Sequence, residues 1–152
     1  MTFRGIVTMA VHPGLFCLVL VGSAGAADPS FTPGGTLPVG QSPSSFEVAD
    51  LNGDAHPDFA VANHGSDDLT ILLGDGGGGF AAAAGSPVAA GDGPFALATA
   101  DLNGDRTVDL AVANNRSNNL TVHLGNGAGG FGAGPGSPIL VAALRRTWPL
   151  GI

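Results

Sequence analysis

Lysine is absent from this chain of 152 residues, and its five basic residues are all arginine. There is no basic stripe to displace counterions from phosphates, which argues against nucleic acid as a partner. Charged residues make up only 11% of the chain and hydrophobic ones 44%, a balance that excludes a disordered polyelectrolyte. Cysteine is nearly absent. The single Cys17 lies in an N-terminal apolar stretch, so the remainder has neither a disulfide framework nor thiol chemistry. Long hydrophobic runs are missing too. Leu15-Phe16-Cys17-Leu18-Val19-Leu20-Val21 is far shorter than the ~20 residues that span a bilayer. Outside that stretch no segment keeps the spacing of an amphipathic helix.

Glycine is abundant instead, with 26 residues, alongside 11 prolines. That composition predicts many short strands joined by tight turns, an all-β chain. The formal charge is −7, and six of the twelve acidic residues fall in two loops: Asp50, Asp54, Asp58, Asp101, Asp105 and Asp109. The acidity is concentrated where a cation would neutralise it.

Those loops are Asp50-Leu51-Asn52-Gly53-Asp54-Ala55-His56-Pro57-Asp58 and Asp101-Leu102-Asn103-Gly104-Asp105-Arg106-Thr107-Val108-Asp109. Oxygen-bearing side chains stand at positions 1, 3, 5 and 9, a spacing that lets one turn of chain wrap a hard cation. Calcium, which accepts six to eight oxygens in flexible geometry, is the expected metal, about one per loop. The backbone carbonyls of His56 and Thr107, at position 7, add one ligand each. An Asx-rich turn that binds nothing is the plainer reading of one such loop. Two near-copies favour calcium. Metal would also staple a chain without disulfides.

Residues 1–27 have the features of a secretory signal peptide, which predicts a secreted or cell-surface protein. Arg4 gives the positive region, residues 15–21 the apolar one, and Ala24-Gly25-Ala26 the small-residue cleavage pattern. Residues 28–42 are rich in Pro, Gly and Ser and read as the last strand of an incomplete preceding unit. Residues 43–93 and 94–141 form two units. Placed side by side at an offset of 51, positions 43–90 and 94–141 are identical at 25 of 48 places, which establishes an internal repeat. Each unit reads as four strands. The first enters the acid loop and the second leaves it. The third ends in a glycine turn before Phe80 or Phe131. The fourth carries Gly-Ser-Pro, and its proline places it outermost in the sheet.

Position 12 of the loops is Val61 or Val112, not the glutamate of an EF-hand, and no helices flank them. The glycine runs lack the Lys-Ser/Thr of a phosphate loop. His56, His64 and His123 have no recognisable nucleophile or orienting acid near them and read as surface or strand-face residues.

The motif Ala49-Asp50-Leu51-Asn52-Gly53-Asp54, followed by Asp58-Phe59-Ala60-Val61-Ala62-Asn63 and Leu72-Leu73-Gly74-Asp75-Gly76 with Phe80, resembles the FG-GAP/VCBS repeat family. The second copy repeats it from Ala100 to Phe131. The resemblance implies calcium-binding propeller blades, here two four-stranded antiparallel blades plus a leading strand, as a partial β-propeller. It implies ligands at Asp50, Asn52, Asp54, His56 and Asp58, and at Asp101, Asn103, Asp105, Thr107 and Asp109. It also implies a non-catalytic role in contacting protein or glycan, as in adhesion. Two features depart from the family. Ala55 and Arg106 stand at position 6, where the family has glycine in a left-handed turn. Arg106 also brings positive charge toward the cation, so the second site is expected to be the weaker. Propellers close with about four to eight blades, whereas this chain has two, and residues 142–152 form a non-repeat tail. A fragment of a longer secreted propeller or polysaccharide-active enzyme is the alternative reading, and self-association through open blade faces is expected.

Overall fold

The structure, a computed structural model, describes residues 11–12, 15–17 and 36–140. The leader's basic region and cleavage pattern, residues 28–35 and the tail 141–152 lie outside the described residues. Among the described residues there are strands and turns and no helix. A small antiparallel sheet joins β1 (Val11–His12), β2 (Leu15–Cys17) and β3 (Thr36–Leu37).

Two larger sheets follow, one per repeat. The first blade contains β4 (Pro43–Ala49), β5 (Asp58–Asn63), β6 (Asp68–Gly74), β7 (Phe80–Ala82) and β8 (Val88–Ala89). The second contains β9 (Pro94–Ala100), β10 (Asp109–Asn114), β11 (Asn119–Gly125), β12 (Phe131–Ala133) and β13 (Ile139–Leu140). Both run antiparallel in the order first, second, third, fourth, giving an all-β, partial propeller-like arrangement.

The fourth strand is outermost, as its proline demands, and it is split in two. β7 and β8 both pair with β6, and β12 and β13 both pair with β11. The Gly-Ser-Pro triplet fills the gap between the halves. Ser86 Oγ accepts the Ile71 amide at 3.0 Å, and Ser137 Oγ accepts the Val122 amide at 3.0 Å. The serine hydroxyl thus satisfies a backbone donor where the ladder is broken.

Side chains alternate across each sheet, giving each blade a front and a back. On the front of the first blade, Phe59, Val61 and Leu72 are buried, with Phe46, Phe80, Leu37 and Val39 packed on them. The rings of Phe59 and Phe80 lie 5.1 Å apart and tilted, an edge-type contact. The back carries Ala60, Ala62, Leu69 and Ile71, which meet Leu97, Leu110 and Val112 from the front of the second blade in one core. The small alanines of β5 let β9 come close.

His123 sits on that same front face, across from Leu110, where the first repeat has Leu72. It is buried and its Nε2 has no hydrogen-bond partner. Burial pushes the imidazole below its usual 6.5. The unfolded chain therefore binds the proton more readily, so stability is full above about pH 6.5 and falls as pH drops below it. Replacing His123 with leucine should remove this acid sensitivity between pH 7.5 and 5 and raise stability by about 1–2 kcal/mol at neutral pH. Thermal melts across that range check it. An unchanged pH slope in the variant would contradict it.

Candidate metal loops

Each acid loop joins the first two strands of its blade. In the first, Asp50 is the hub. Its Oδ1 accepts the amides of Gly53 at 2.7 Å and Asp54 at 3.1 Å, and its Oδ2 accepts that of Ala55 at 2.8 Å. Asn52 Oδ1 accepts the Asp54 amide at 3.1 Å, and its Nδ2 donates to Asp54 Oδ2 at 2.8 Å. Asp54 Oδ1 accepts the His56 amide at 2.8 Å. The His56 ring lies over Gly76, where a methyl group would fall 2.5 Å from it.

The second loop repeats this frame. Asp101 accepts the amides of Gly104 at 2.7 Å and Arg106 at 2.9 Å. Asn103 accepts the Asp105 amide at 2.8 Å and donates to Asp105 Oδ2 at 2.8 Å. Asp105 Oδ1 accepts both the amide and, at 2.5 Å, the hydroxyl of Thr107. The left-handed turn at position 6 is present in both copies, with φ of 66° at Ala55 and 71° at Arg106. A side chain in that conformation costs roughly 1 kcal/mol relative to glycine.

Hydrogen bonds hold the exposed loop acids in their charged form. Asn52 and then the His56 amide lower the pKa of Asp54. The Thr107 hydroxyl, followed by its amide, does the same for Asp105. Both groups are therefore anionic throughout the range in which a cation would be bound.

Position 9 behaves differently. Asp58 and Asp109 are fully buried, while the other acids of the loops are exposed. Asp58 Oδ2 accepts the Leu51 amide and Oδ1 the Gly74 amide, each at 2.8 Å. Asp109 binds the Leu102 amide at 2.8 Å and the Gly125 amide at 2.9 Å. Each buried carboxylate thus ties the start of its loop to the end of the third strand. Among the described residues no three acidic or imidazole side chains gather closely enough to form a metal cluster by themselves. A cation here would depend on the amide oxygens of Asn52 and Asn103 and on backbone carbonyls as much as on carboxylates. The donor chemistry still fits a hard ion. Every donor is oxygen, and a carboxylate offers about four lone-pair positions, more than these hydrogen bonds occupy.

Two further features were not evident from the repeat alone. In the glycine turn, Asp75 Oδ1 accepts the amides of Gly77 and Gly79 at 2.8 Å, which lowers its pKa, and Asn126 takes the same part with Ala128 and Gly130. At the other end of the sheets, His64 contacts Asn115 Oδ1 at 3.2 Å, while Arg116 lies 3.3 Å from the His64 ring and 3.7 Å from Asp67. These residues link the two blades. The two acid loops and the two glycine turns share the opposite end, where the Gly129 amide donates to Leu51 O at 3.2 Å.

The fold and the paired loops define a repeat module of the propeller-blade type. Residues 50–112 match the family model described as FG-GAP-like repeat. The match spans both acid loops. No curated protein and no solved structure matches the chain.

Proposed function

We propose that the chain is a secreted, calcium-stabilised module that acts by contact with a protein or glycan and not by catalysis. The observation that carries this reading is the pair of acid loops, built alike and set at one end of adjacent blades. Calcium would be held by Asp50, Asn52, Asp54, the His56 carbonyl and Asp58, and by Asp101, Asn103, Asp105, the Thr107 carbonyl and Asp109. When bound, it would neutralise acids that otherwise repel one another within a single turn. The leader features of residues 1–27 support secretion. His56, His64 and His123 support a non-catalytic role, because each is in a structural contact: His56 on Asp54, His64 on Arg116 and His123 buried on the front face of the second blade.

Calorimetric titration with calcium tests the reading. Two unequal sites are expected, in the roughly 10⁻⁴–10⁻³ M class of extracellular modules, with the second loop weaker because of Arg106. Arg106→Gly should strengthen that site by removing the positive charge beside the cation. Asp54→Asn should abolish the first site alone. No calcium heat in the wild type would overturn the metal assignment.

A further inference from the structure

We propose that the back face of the second blade is a dimer interface, on which a second copy of the chain docks through the same face about a two-fold axis. The chain itself shows what such a face does. In the first repeat the back of the sheet is sealed by the second blade: Ala60, Ala62, Leu69 and Ile71 are buried and share one core with Leu97, Leu110 and Val112. At the repeat offset of 51 their counterparts are Ala111, Ala113, Leu120 and Val122, which keep the pattern of small and large residues but are only half-buried. Leu51 is 2% exposed, and its counterpart Leu102 is 49% exposed. Val88 packs on the core between blades, and its counterpart Ile139 is 49% exposed. Phe95, 58% exposed, stands where Ser44 of the first repeat donates to Pro94 O of the next blade at 2.8 Å. Three of the five exposed large hydrophobic residues among the described residues therefore mark one surface, and in the first repeat that surface is an interface.

The occupant is the back face of a second copy, not its front. The front of the first blade, which would continue the row of blades head to tail, is already covered: Phe59, Val61 and Leu72 are buried, with Leu37, Val39, Phe46 and Phe80 packed on them. The back of the second blade is instead complementary to itself. Ala111 and Ala113 make β10 a shallow groove, and Leu120 and Val122 make the neighbouring β11 a ridge. A two-fold axis along the strands, between β10 and β11, lays the ridge of each copy in the groove of the other. The junction inside the chain uses the same kind of fit, with β9 packed against the alanines of β5. Phe95, Leu102, Ala111, Ala113, Leu120, Val122 and Ile139 carry no charge, so the face neither repels a like face nor calls for a charged partner.

The size of the face sets the strength of the contact. Its long strands β9, β10 and β11 have 7, 6 and 7 residues. With the outer strand they outline a patch of roughly 20 by 20 Å at the usual strand spacing. Two such patches bury on the order of 1,000 Å² in all, the lower end for a specific interface, so the dimer is expected to be reversible and to form in the micromolar range.

Sedimentation velocity of the full chain from about 1 to 100 μM tests the proposal. The expected result is a monomer–dimer equilibrium that stops at two copies. Ile139→Glu and Phe95→Glu each set a charge at an exposed position of the face, and each is expected to weaken dimerisation by at least about tenfold while the circular dichroism spectrum stays that of wild type. Two positions are used so that failure of one variant to fold leaves the other to decide. Val48→Glu is the control. Val48 is 46% exposed on the front of the first blade, across from Phe59, and its variant should dimerise like wild type. A wild type that is monomeric throughout overturns the proposal. An undiminished dimer in either folded face variant overturns it as well. Association that continues past the dimer and is abolished by Val48→Glu also overturns it, and assigns the face to head-to-tail stacking.

Discussion

Asp58→Ala is expected to destabilise the chain by roughly 3–5 kcal/mol in the presence of a chelator, with no metal involved. Asp58 is buried and gives one carboxylate oxygen to each of two backbone amides, Leu51 and Gly74. Hydrogen bonds to a charged acceptor contribute about 1.5–3 kcal/mol each, and a buried donor left without a partner costs a similar amount. The loss would be a large fraction of the roughly 5–15 kcal/mol that holds a domain folded. Asp58→Asn should also destabilise, because its amide nitrogen cannot accept one of the two N–H groups. Asp54→Asn, on the exposed rim of the same loop, should leave the chelated protein near wild type. Urea denaturation of the three variants separates these outcomes. A chelated Asp58→Ala that unfolds with wild type would show that the buried carboxylate is not a structural clasp.

The second large effect is expected at Gly74. A methyl group there would be driven into the Pro57 carbonyl oxygen, and it would also sit 3.1 Å from the Phe80 ring. The obstacle is backbone, held by the neighbouring Asp58 clasp, so it cannot move aside without loosening the loop. Overpacking of this kind costs about 1–3 kcal/mol and sometimes more. Gly125→Ala in the second blade meets the Val108 carbonyl in the same way. Gly132→Ala is the control, since a methyl group there meets open space, and it should change stability by no more than about 0.5 kcal/mol. Equal melting temperatures for the Gly74 and Gly132 variants would contradict the close approach of loop and strand.

Much of this architecture is legible in the sequence because the repeat is legible. Identity at a fixed offset fixes the two blades, alternation of large and small residues fixes their faces, and proline in the fourth strand fixes the edge. The left-handed turn at Ala55 and Arg106 follows from where the family places glycine, and the backbone has it. The role of Asp58 and Asp109 is not legible. On spacing alone the position 9 acid looks like its exposed neighbours, and only the packing of the third strand buries it. The contact of His64 with Asn115 and Arg116 is hidden for a different reason. One repeat meets the other with its back and is met by the other's front, so equivalent positions need not carry equivalent residues. His64 facing Asn115 in the alignment looks like free variation, yet the two touch across the junction. His123 is misleading in the same way, because a polar residue in place of Leu72 suggests a surface and the fold buries it.

The most direct test of the central claim is a thermal melt of the chain in calcium and in chelator, for the wild type and for the Asp54→Asn, Asp105→Asn double variant. Calcium at about 100 times its dissociation constant adds about 2.7 kcal/mol per site. For a chain of 152 residues each kcal/mol moves the midpoint by roughly 2–4 °C. The predicted result is a single cooperative transition in the wild type that rises by at least several degrees with calcium, and a double variant whose midpoint is the same in both conditions. A wild type that melts identically in calcium and chelator would contradict the claim that the paired loops are calcium sites.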